Sequence, residues 1–480
     1  MGKKICMWGF GVGIERAMEM CRDAGIEVLA VLDRDPAKWG AEVQSVPVAD
    51  PQTLPALAPD AILVICLSFE GVSRQAASLG YGPERVVHFP QNPLEAMRRL
   101  AGNYAVCCYD YSCEGETLHT KRRRHQVRGK VVADVPSPHP LDTQRAVVAQ
   151  LLESYRRATA DAKNAPPAYR VGKNWESLLR TTRKDFYDAV DARDVDWLTL
   201  RLANFCRNDL STSILGGEAG FRAFAAHPQQ EPWLLQHMDV WRALVDGEHD
   251  LSEAAMPPIG NPYGYDVEGW TINWNSFVNH ARAFRVLRLL EEEPRPVVAE
   301  IGGGFGGFAH QLLRTGRPLT YVNFDLPENL LISSYYLSLA FPEKKILLYD
   351  SPDLSLDRAV LEQYDAVLMP NFMLPKLQDR SVEFFINTIS FSEMEHATIC
   401  EYFAQIDRSG ERYFYHENLS CHPAYKGFPV AVFPRLTHFR QLFASFVPWH
   451  GMDASAIGHS YVAQLFERRA AKTAKRPQAS

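Results

Sequence analysis

Residues 297–308 read Val-Val-Ala-Glu-Ile-Gly-Gly-Gly-Phe-Gly-Gly-Phe, so a short apolar run with one acid leads into five glycines. The apolar run predicts a strand buried in a parallel sheet, and the glycines predict a tight turn from that strand into a helix. Glycine lets the backbone approach a ligand closely, and the N–H groups at the start of a helix bind polar ligand atoms. The predicted nucleotide-binding residues are Glu300, Gly302, Gly304 and Gly306. The alternative is a turn that binds no ligand. This alternative is less favoured, because ordering five glycines costs much backbone entropy and a simple connection does not need them.

A second strand is predicted over residues 320–324, where β-branched and aromatic residues lead to Asp325. An acid at the end of this strand is expected to accept hydrogen bonds from the two ribose hydroxyls of a nucleotide. Asp325 equally suits the N-cap of the next helix, with Pro327 in its first turn. Capping and ribose binding are compatible with each other.

The third strand position is filled by the apolar residues 367–370. Asn371 and Phe372 follow this strand, so they are predicted to flank the adenine ring of a bound nucleotide. Asp350 is the less favoured alternative for this contact.

Five stretches together resemble the sugar O-methyltransferases of bacterial natural-product and surface-glycan gene clusters, which are class I S-adenosylmethionine (SAM) methyltransferases. The stretches are residues 300–308, 321–328, 333–337, 387–394 and 413–418. The resemblance extends over residues 165–468 and leaves the first third of the chain outside. It implies the fold of those enzymes, SAM as cofactor, and a sugar hydroxyl as acceptor, whether free, nucleotide-linked or part of a glycoside.

The segment Asp-Leu-Pro at residues 325–327 is also similar to the plant O-methyltransferases of the caffeate type. Those enzymes carry a catalytic histidine just after the fourth strand. This chain has Phe391 in that neighbourhood, so the base has to be sought among other residues.

A sugar hydroxyl is a poor nucleophile, so methyl transfer to it requires a general base as well as in-line alignment. Candidates should follow the fourth and fifth strands, whose C-terminal ends face the cofactor in an open α/β sheet. The fourth strand leads to Glu393, and the fifth, predicted over residues 412–415, leads to His416 and Glu417. His416 is the first choice, with Glu393 or Glu417 as base or orienter. The alternative is that these residues cap helices and pair with each other.

Amides and aromatic residues are interleaved just before the glycine-rich stretch. The predicted acceptor-binding residues are Asn261, Tyr263, Asn273 and Asn275. Amides satisfy the hydroxyls of a polyol, and flat rings stack on its C–H faces. The alternative is a Gly/Pro/Asn turn with core aromatics.

The first 95 residues predict half of a Rossmann-type sheet, with apolar strands at residues 4–8, 28–32 and 61–67. Ile14 stands where the dinucleotide fingerprint has its third glycine, which argues against NAD-dependent hydride chemistry. Nucleotide binding and a purely structural or oligomerising role both stay open. The alternative function is accordingly an NAD(P)-dependent keto-sugar reductase or a nucleotide-sugar-binding activity in this domain.

The whole chain is predicted to be an α/β protein with Rossmann-like sheets at both ends and a helical region between them. Five segments are expected. They are a nucleotide-binding-type domain (1–100), a linker with a basic segment (101–165), a helical substrate-covering region (166–290), a SAM methyltransferase domain (291–470) and a disordered tail (471–480).

The composition of the chain limits the classes of partner and the location that are expected. A net charge of -6 over 480 residues argues against nucleic acid and leaves a small molecule as the expected partner. No apolar run reaches the roughly 18 residues of a membrane span, and no signal peptide is recognised, so a cytoplasmic location is expected. Nine cysteines without paired spacing suit reduced thiols. The sequence leaves a homo-oligomer open.

No metal site is predicted from the sequence. Cys107, Cys108 and Cys113 lie near two histidines, but their spacing fits no standard zinc pattern. Acids and amides after the last strands are compatible with Mg²⁺, although no linear signature demands it.

Overall fold

A computed structural model describes residues 3–9, 14–23, 26–64, 69–82, 85–88, 126–227, 231–245, 249–419, 430, 433–447 and 461–469. By its internal contacts the chain falls into two units, Met1–Cys108 with His416–Ser480, and Tyr109–Tyr415. This division differs from the five predicted segments, whose boundaries stay predictions. The predicted basic run, the cysteine and histidine segment and the tail lie outside the described residues.

The N-terminal part of the first unit is a small α/β sheet with helices. Its strands are β1 (Lys4–Trp8), β2 (Glu27–Leu32), β3 (Glu42–Val43), β4 (Val46–Ala49), β5 (Ala61–Val64) and β6 (Val86–His88), and its helices are α1 (Ile14–Asp23), α2 (Leu54–Leu57) and α3 (Phe69–Ser78). The strand order is β3-β4-β2-β1-β5-β6, and only β3 runs antiparallel to its neighbour. Ile5 and Met7 belong to one buried apolar cluster, and Cys6 and Trp8 to another. The sheet is therefore buried on both faces, as a parallel sheet requires.

The second unit begins with a helical region. Its helices are α4 (Leu141–Ala162), α5 (Lys173–Thr181), α6 (Lys184–Ala192), α7 (Val195–Leu202), α8 (Gly217–Ala226), α9 (Glu231–Leu244), α10 (Leu251–Ala254) and α11 (Trp274–Leu289). A three-stranded sheet in the order β7-β8-β9 joins β7 (Val127–Val131), β8 (Gly264–Val267) and β9 (Trp270–Ile272). Among the helices that the structure describes, none has the length and hydropathy needed to cross a bilayer.

The remaining strands form the large sheet. They are β10 (Val297–Ile301), β11 (Thr320–Asp325), β12 (Ile346–Leu348), β13 (Ala366–Pro370), β14 (Val382–Thr388), β15 (Gly410–Leu419), β16 (Phe439–Phe446) and β17 (Tyr461–Arg468), with helices α12 (Gly307–Leu313), α13 (Pro327–Ala340), α14 (Arg358–Leu361) and α15 (His396–Ser409) between them. The strand order is β12-β13-β11-β10-β14-β15-β17-β16, and β16 and β17 pair antiparallel. If the edge strand β12 is left out, the order of the other seven strands is the one expected of the class I methyltransferase fold. The predicted fold class is confirmed.

The sheet gathers the predicted cofactor residues at one edge. β10 pairs in parallel with β11 and with β14, and β11 pairs in parallel with β13. Every residue of β10 is buried, which explains its apolar sequence. Because parallel strands end at the same edge, the glycine loop, Asp325 and Asn371 come together at their carboxyl ends.

Candidate functional site

A cavity lies within the second unit at the carboxyl ends of β10, β11, β13 and β14. Its walls contain most of the predicted cofactor residues, one predicted acceptor residue and one predicted base. These predicted residues are Glu300, Gly302, Gly304, Asp325, Asn371, Asn275 and Glu393. The structure thus brings together groups from five separate parts of the sequence.

The turn after β10 is shaped by glycine. Positive φ angles occur at Gly302, Gly304 and Gly306. A Cβ on Gly302 would lie 2.4 Å from Oγ of Ser390, so the loop after β14 leaves no room for a side chain there. Gly303 has no positive φ, yet a Cβ on it would lie 2.7 Å from Oδ1 of Asn323 and 2.8 Å from the hydroxyl of Tyr321. The loop is therefore packed tightly between β11 and the residues after β14.

Asp325 connects the end of β11 to the glycine loop. Its Oδ2 accepts a hydrogen bond from Gly304 N at 2.8 Å, and its Oδ1 accepts from Leu326 N at 2.7 Å. The side-chain amide of Asn329 also donates to Oδ1, at 3.0 Å, and Asn329 in turn accepts from Arg183 at 3.2 Å. Burial raises the pKa of the Asp325 carboxyl to about 6, against the effect of these donors. A carboxylate offers about four acceptor positions, so capacity for a ribose hydroxyl remains.

Glu300 lies at the end of β10 and is buried. The hydroxyl of Tyr321 donates to its Oε2 at 2.6 Å. Burial raises the pKa of Glu300 to about 7, and both the Tyr321 hydrogen bond and the positive charge of Arg282 oppose that rise. The acid of the glycine-rich motif is therefore poised to change its charge near neutral pH.

Asn371 and Phe372, the predicted adenine neighbours, have different positions. The amide of Asn371 lines the cavity and donates to the carbonyl of Tyr169 at 3.0 Å and to the hydroxyl of Tyr402 at 2.9 Å. Phe372 is not among the cavity residues, and its ring packs edge-on against Tyr349 at 5.5 Å. Asn371 and Tyr402 are thus the polar groups at this end of the cavity.

Glu393 closes a short 3-10 helix, Ser390–Glu393, that follows β14. The indole N–H of Trp175 donates to its Oε2 at 3.3 Å, and burial raises the pKa of its carboxyl above the usual range. The residue before this helix, Ile389, has φ of +71°, which is strained for a β-branched side chain. Such strain persists where the surrounding structure holds a functional loop in place.

His416 and Glu417 are not among the residues that line the cavity. The sequence predicted that the fifth strand ends at residue 415, but β15 continues to Leu419 and both side chains lie inside it. His416 is 0% exposed and Glu417 is 2% exposed. The His416 ring stacks on Phe466 at a centroid distance of 5.8 Å. Both residues are buried and neither is among the described residues that line the cavity, so we do not carry His416 or Glu417 into the proposed mechanism.

Of the predicted acceptor residues, Asn275 lines the cavity and the other three make contacts within the protein. Asn273 caps α11, where its side chain accepts from Ser276 N at 3.1 Å. The hydroxyl of Tyr263 donates to the carbonyl of Leu215 at 3.1 Å. Turn and capping contacts therefore account for residues that the sequence suggested for a polyol.

Asn261 has the clearest structural role of these residues, and replacing it by alanine should destabilise the fold. Its amide donates to Asp134 at 2.9 Å and to Asn204 at 2.8 Å, and its Oδ1 accepts from Val135 N at 2.9 Å. Its φ of +57° also disfavours alanine. We expect the free energy of unfolding in urea to fall by roughly 2–4 kcal/mol. Unchanged stability with a raised acceptor KM would instead return Asn261 to the binding site.

Comparisons with known proteins found one family model and several solved structures. Residues 1–87 match the model of a family described as C2185-like, N-terminal. No curated protein matches the chain. The solved structures that resemble parts of this chain do so with low identities and low TM-scores.

Three of these solved structures show the identities, coverages and TM-scores that are found. Magnesium protoporphyrin IX methyltransferase from Synechocystis PCC 6803, with bound S-adenosylhomocysteine (SAH), is 10% identical over 41% of this chain and 88% of its own, with a TM-score of 0.28. Geranyl diphosphate C-methyltransferase from Streptomyces coelicolor A3(2) is 12% identical over 38% of this chain and 76% of its own, with a TM-score of 0.27. UDP-D-quinovosamine 4-dehydrogenase from Vibrio fischeri is 19% identical over 18% of this chain and 76% of its own, with a TM-score of 0.16.

Several cavity residues were not singled out from the sequence. They are Trp175, Asn279, Arg282, Asn329 and Tyr402. A helical spacing of four and three residues separates Asn275, Asn279 and Arg282 on α11. This spacing in the sequence indicates one polar helix face. Nothing in the sequence around Trp175 links its indole N–H to a carboxylate more than two hundred residues away.

His249, Glu253 and His280 lie close enough together to suggest a metal site, since their ligand atoms are all within 4.8 Å of one another. The indole N–H of Trp241, however, donates to Nδ1 of His280 at 3.0 Å. The proton of the neutral ring is therefore on Nε2, the nitrogen that faces Glu253 at 3.8 Å. A protonated Nε2 offers no lone pair to a metal ion, so this arrangement argues against metal ligation by His280.

In the first unit, Asp33 follows β2 at the position of a ribose-binding acid. Its Oδ1 accepts from Asp35 N at 2.9 Å, and Lys38 Nζ donates to its Oδ2 at 3.2 Å. Most of the predicted glycine turn at residues 9–13 lies outside the described residues. Nucleotide binding by this unit and a scaffold role both stay predictions.

Proposed function

We propose that this protein transfers a methyl group from SAM to a hydroxyl of a sugar, whether the sugar is free, nucleotide-linked or part of a glycoside. One observation carries the proposal: a single cavity joins the glycine loop, the Asp325 carboxylate one strand away, and the half-buried carboxylate of Glu393. The first two groups suit an adenosyl cofactor, and the third suits removal of a proton. The choice of a sugar rests on the family resemblance of the sequence.

The cofactor groups follow from the positions of the strands. Asp325 would accept a hydrogen bond from a ribose hydroxyl, and Asn371 and Tyr402 would offer polar contacts to the adenine at the end of β13. The close-packed glycine loop lets the ligand approach the backbone between these groups. Glu393 and Trp175 line another part of the same cavity, where the methyl group that SAM supplies would meet the acceptor.

Glu393 is the proposed general base. The indole N–H of Trp175 donates to Oε2 of Glu393, so Oε1 is the oxygen that accepts a hydrogen bond from the acceptor hydroxyl. Bound SAM would supply the methyl group to the acceptor oxygen and would leave as SAH, and Oε1 of Glu393 would take the proton of the acceptor hydroxyl. The pKa of Glu393, raised by burial, makes it a stronger base than an exposed glutamate.

Binding and transfer assays test this function. Calorimetry with SAH and with NADPH identifies the cofactor, and mass spectrometry detects SAH release and methylated product with a panel of sugars, nucleotide sugars and glycosides. SAH binding with methylation of a sugar hydroxyl supports the proposal. NADPH binding without SAH binding would favour the reductase alternative, and transfer only to acceptors without a sugar would remove the sugar from the proposal.

The affinity for SAH should depend on pH through Asp325. Its pKa is raised to about 6, so the carboxylate that accepts from the ribose is present above that pH and is lost as the pH falls through it. Below that pH, the dissociation constant for SAH should therefore rise about tenfold for each unit by which the pH falls. Asp325→Asn should bind more weakly and lose this step. A wild-type affinity independent of pH across this range would contradict the ribose contact.

The expected partner is a small molecule, in line with a net charge of -6. The cytoplasmic location stays a prediction from the sequence.

A further inference from the structure

Arg183 is a buried charged residue that lies behind the wall of the cavity. It immediately precedes α6, is only 2% exposed, and is not among the described residues that line the cavity. Burial lowers the pKa of its guanidinium, and the carboxyl groups of Glu328 and Asp325 oppose that effect. A guanidinium so far from water requires both opposite charge and hydrogen-bond acceptors. The two carboxyl groups supply the charge, and the hydrogen bonds of Arg183 determine where it points.

One contact of Arg183 fixes the side-chain amide of Asn329, which lines the cavity. Arg183 donates to Oδ1 of Asn329 at 3.2 Å and to the carbonyl of Thr212 at 3.2 Å. Because Oδ1 of Asn329 faces the guanidinium, its Nδ2 faces Asp325 and donates to Oδ1 of that residue at 3.0 Å. A flipped amide would turn its oxygen toward the carboxylate and lose both hydrogen bonds. Arg183 therefore holds a donor that orients the Asp325 carboxylate.

A second contact of Arg183 fixes the indole ring of Trp175, which also lines the cavity. The guanidinium carbon lies 5.5 Å from the centroid of this ring, within the range of a cation–π interaction. The edge of the same ring carries the N–H that donates to Oε2 of Glu393 at 3.3 Å. A group held against the face of the ring limits its rotation. Arg183 therefore also holds the donor that orients the Glu393 carboxylate.

We propose that Arg183 is a positioning residue for both halves of the cavity. Through Asn329 it orients Asp325, the proposed acceptor of a ribose hydroxyl. Through Trp175 it orients Glu393, the proposed base. This inference rests on the proposed function and adds a residue that touches neither the cofactor nor the methyl acceptor. Arginine suits the position because its flat fork donates to two acceptors while its face stacks on a ring, whereas lysine offers one compact charged group.

Arg183→Lys tests both contacts, because it keeps the buried charge and loses the fork. Calorimetry should show SAH binding weakened about 3- to 10-fold, the effect of losing about one hydrogen bond. Glu393 should titrate at a higher pH than in the wild type, because the hydrogen bond from Trp175 opposes the effect of burial on the pKa of its carboxyl. NMR of protein with isotope-labelled glutamate follows this titration, and Glu393→Gln identifies the signal. A loss of stability alone, with both readouts unchanged, would overturn the inference.

Asn329→Ala and Trp175→Phe separate the two contacts. In the Asn329→Ala background, Arg183→Lys should change SAH affinity by less than about twofold, because the donor to Asp325 is already absent. In the Trp175→Phe background, Arg183→Lys should leave the titration of Glu393 unchanged, because the indole N–H is already absent. Undiminished effects of Arg183→Lys in these backgrounds would overturn the inference, since the arginine would then act by another route.

Arg201→Lys is the matched control. Arg201 also stacks on a tryptophan of the helical region, with its guanidinium carbon 5.5 Å from the ring centroid of Trp197, and it is not among the described residues that line the cavity. This variant should keep the wild-type SAH affinity and the wild-type titration of Glu393. Equal changes in Arg201→Lys would show a general effect on the helical region and overturn the inference.

A second pair of variants applies if Arg183→Lys fails to fold. Trp175→Ala and Asn329→Ala each remove one contact of Arg183, so either change loosens the arginine for the other. The double variant should therefore bind SAH about threefold or more better than the product of the two single losses predicts. Strictly multiplicative losses would overturn the inference and leave the proposed function intact. Absence of SAH binding by the wild-type protein would overturn the proposed function, and this inference with it.

Discussion

Replacing Glu393 by glutamine should lower the turnover of methyl transfer by about two to four orders of magnitude, the usual contribution of a positioned general base. Glutamine has nearly the same shape and can still accept the 3.3 Å hydrogen bond from Trp175, but it cannot take a proton. SAM affinity should stay close to the wild-type value, because the proposed cofactor contacts lie at other residues. Single-turnover assays at saturating SAM measure the chemical step, and their pH profile should lose its acidic limb.

Glu395 offers a matched control for this experiment. It also lines the cavity but is exposed, so Glu395→Gln should keep its turnover. Full turnover in Glu393→Gln would refute the assignment of the base. A loss found only in His416→Asn would return that role to the histidine first chosen from the sequence.

Replacing Gly304 by valine should weaken SAH binding roughly tenfold to a hundredfold. The φ of Gly304 is +59°, which costs a β-branched residue roughly 1–3 kcal/mol, and a Cβ there would lie 3.2 Å from Ile214. Relaxing the backbone moves the Gly304 N–H away from Asp325, which it now meets at 2.8 Å. Calorimetry with SAH measures the effect.

Gly172 provides the comparison, because it lines the same cavity under no such constraint. Its φ is -71°, and a Cβ on it would have nothing within 4 Å. Gly172→Ala should therefore bind SAH as the wild type does. A Gly304→Val variant with unchanged affinity would remove the glycine loop from the cofactor site.

The fold could be predicted because its central strands are short apolar runs that each end in a recognisable residue. β10 leads into glycines, β11 ends in Asp325, and β13 leads into Asn371. Parallel pairing then places these ends at one edge without further information. The cofactor half of the cavity follows from this rule.

The catalytic half could not be predicted in the same way. His416 and Glu417 are polar, so they suggested the end of a strand, but β15 continues through them and buries both. A sequence does not show whether a polar residue has a partner inside the protein. Asn261 illustrates the same difficulty, since its three side-chain hydrogen bonds all go to residues of its own chain.

The packing of Gly303 has a consequence for how this chain can change through evolution. Gly302 and Gly304 are constrained by their own backbone angles, whereas the crowding at Gly303 comes from its neighbours Asn323 and Tyr321. A larger residue at position 303 therefore becomes acceptable once both neighbours become smaller. In homologous sequences, we expect a residue larger than glycine at position 303 only where the residues at positions 321 and 323 are smaller. Positions 302 and 304 should stay glycine in all of them.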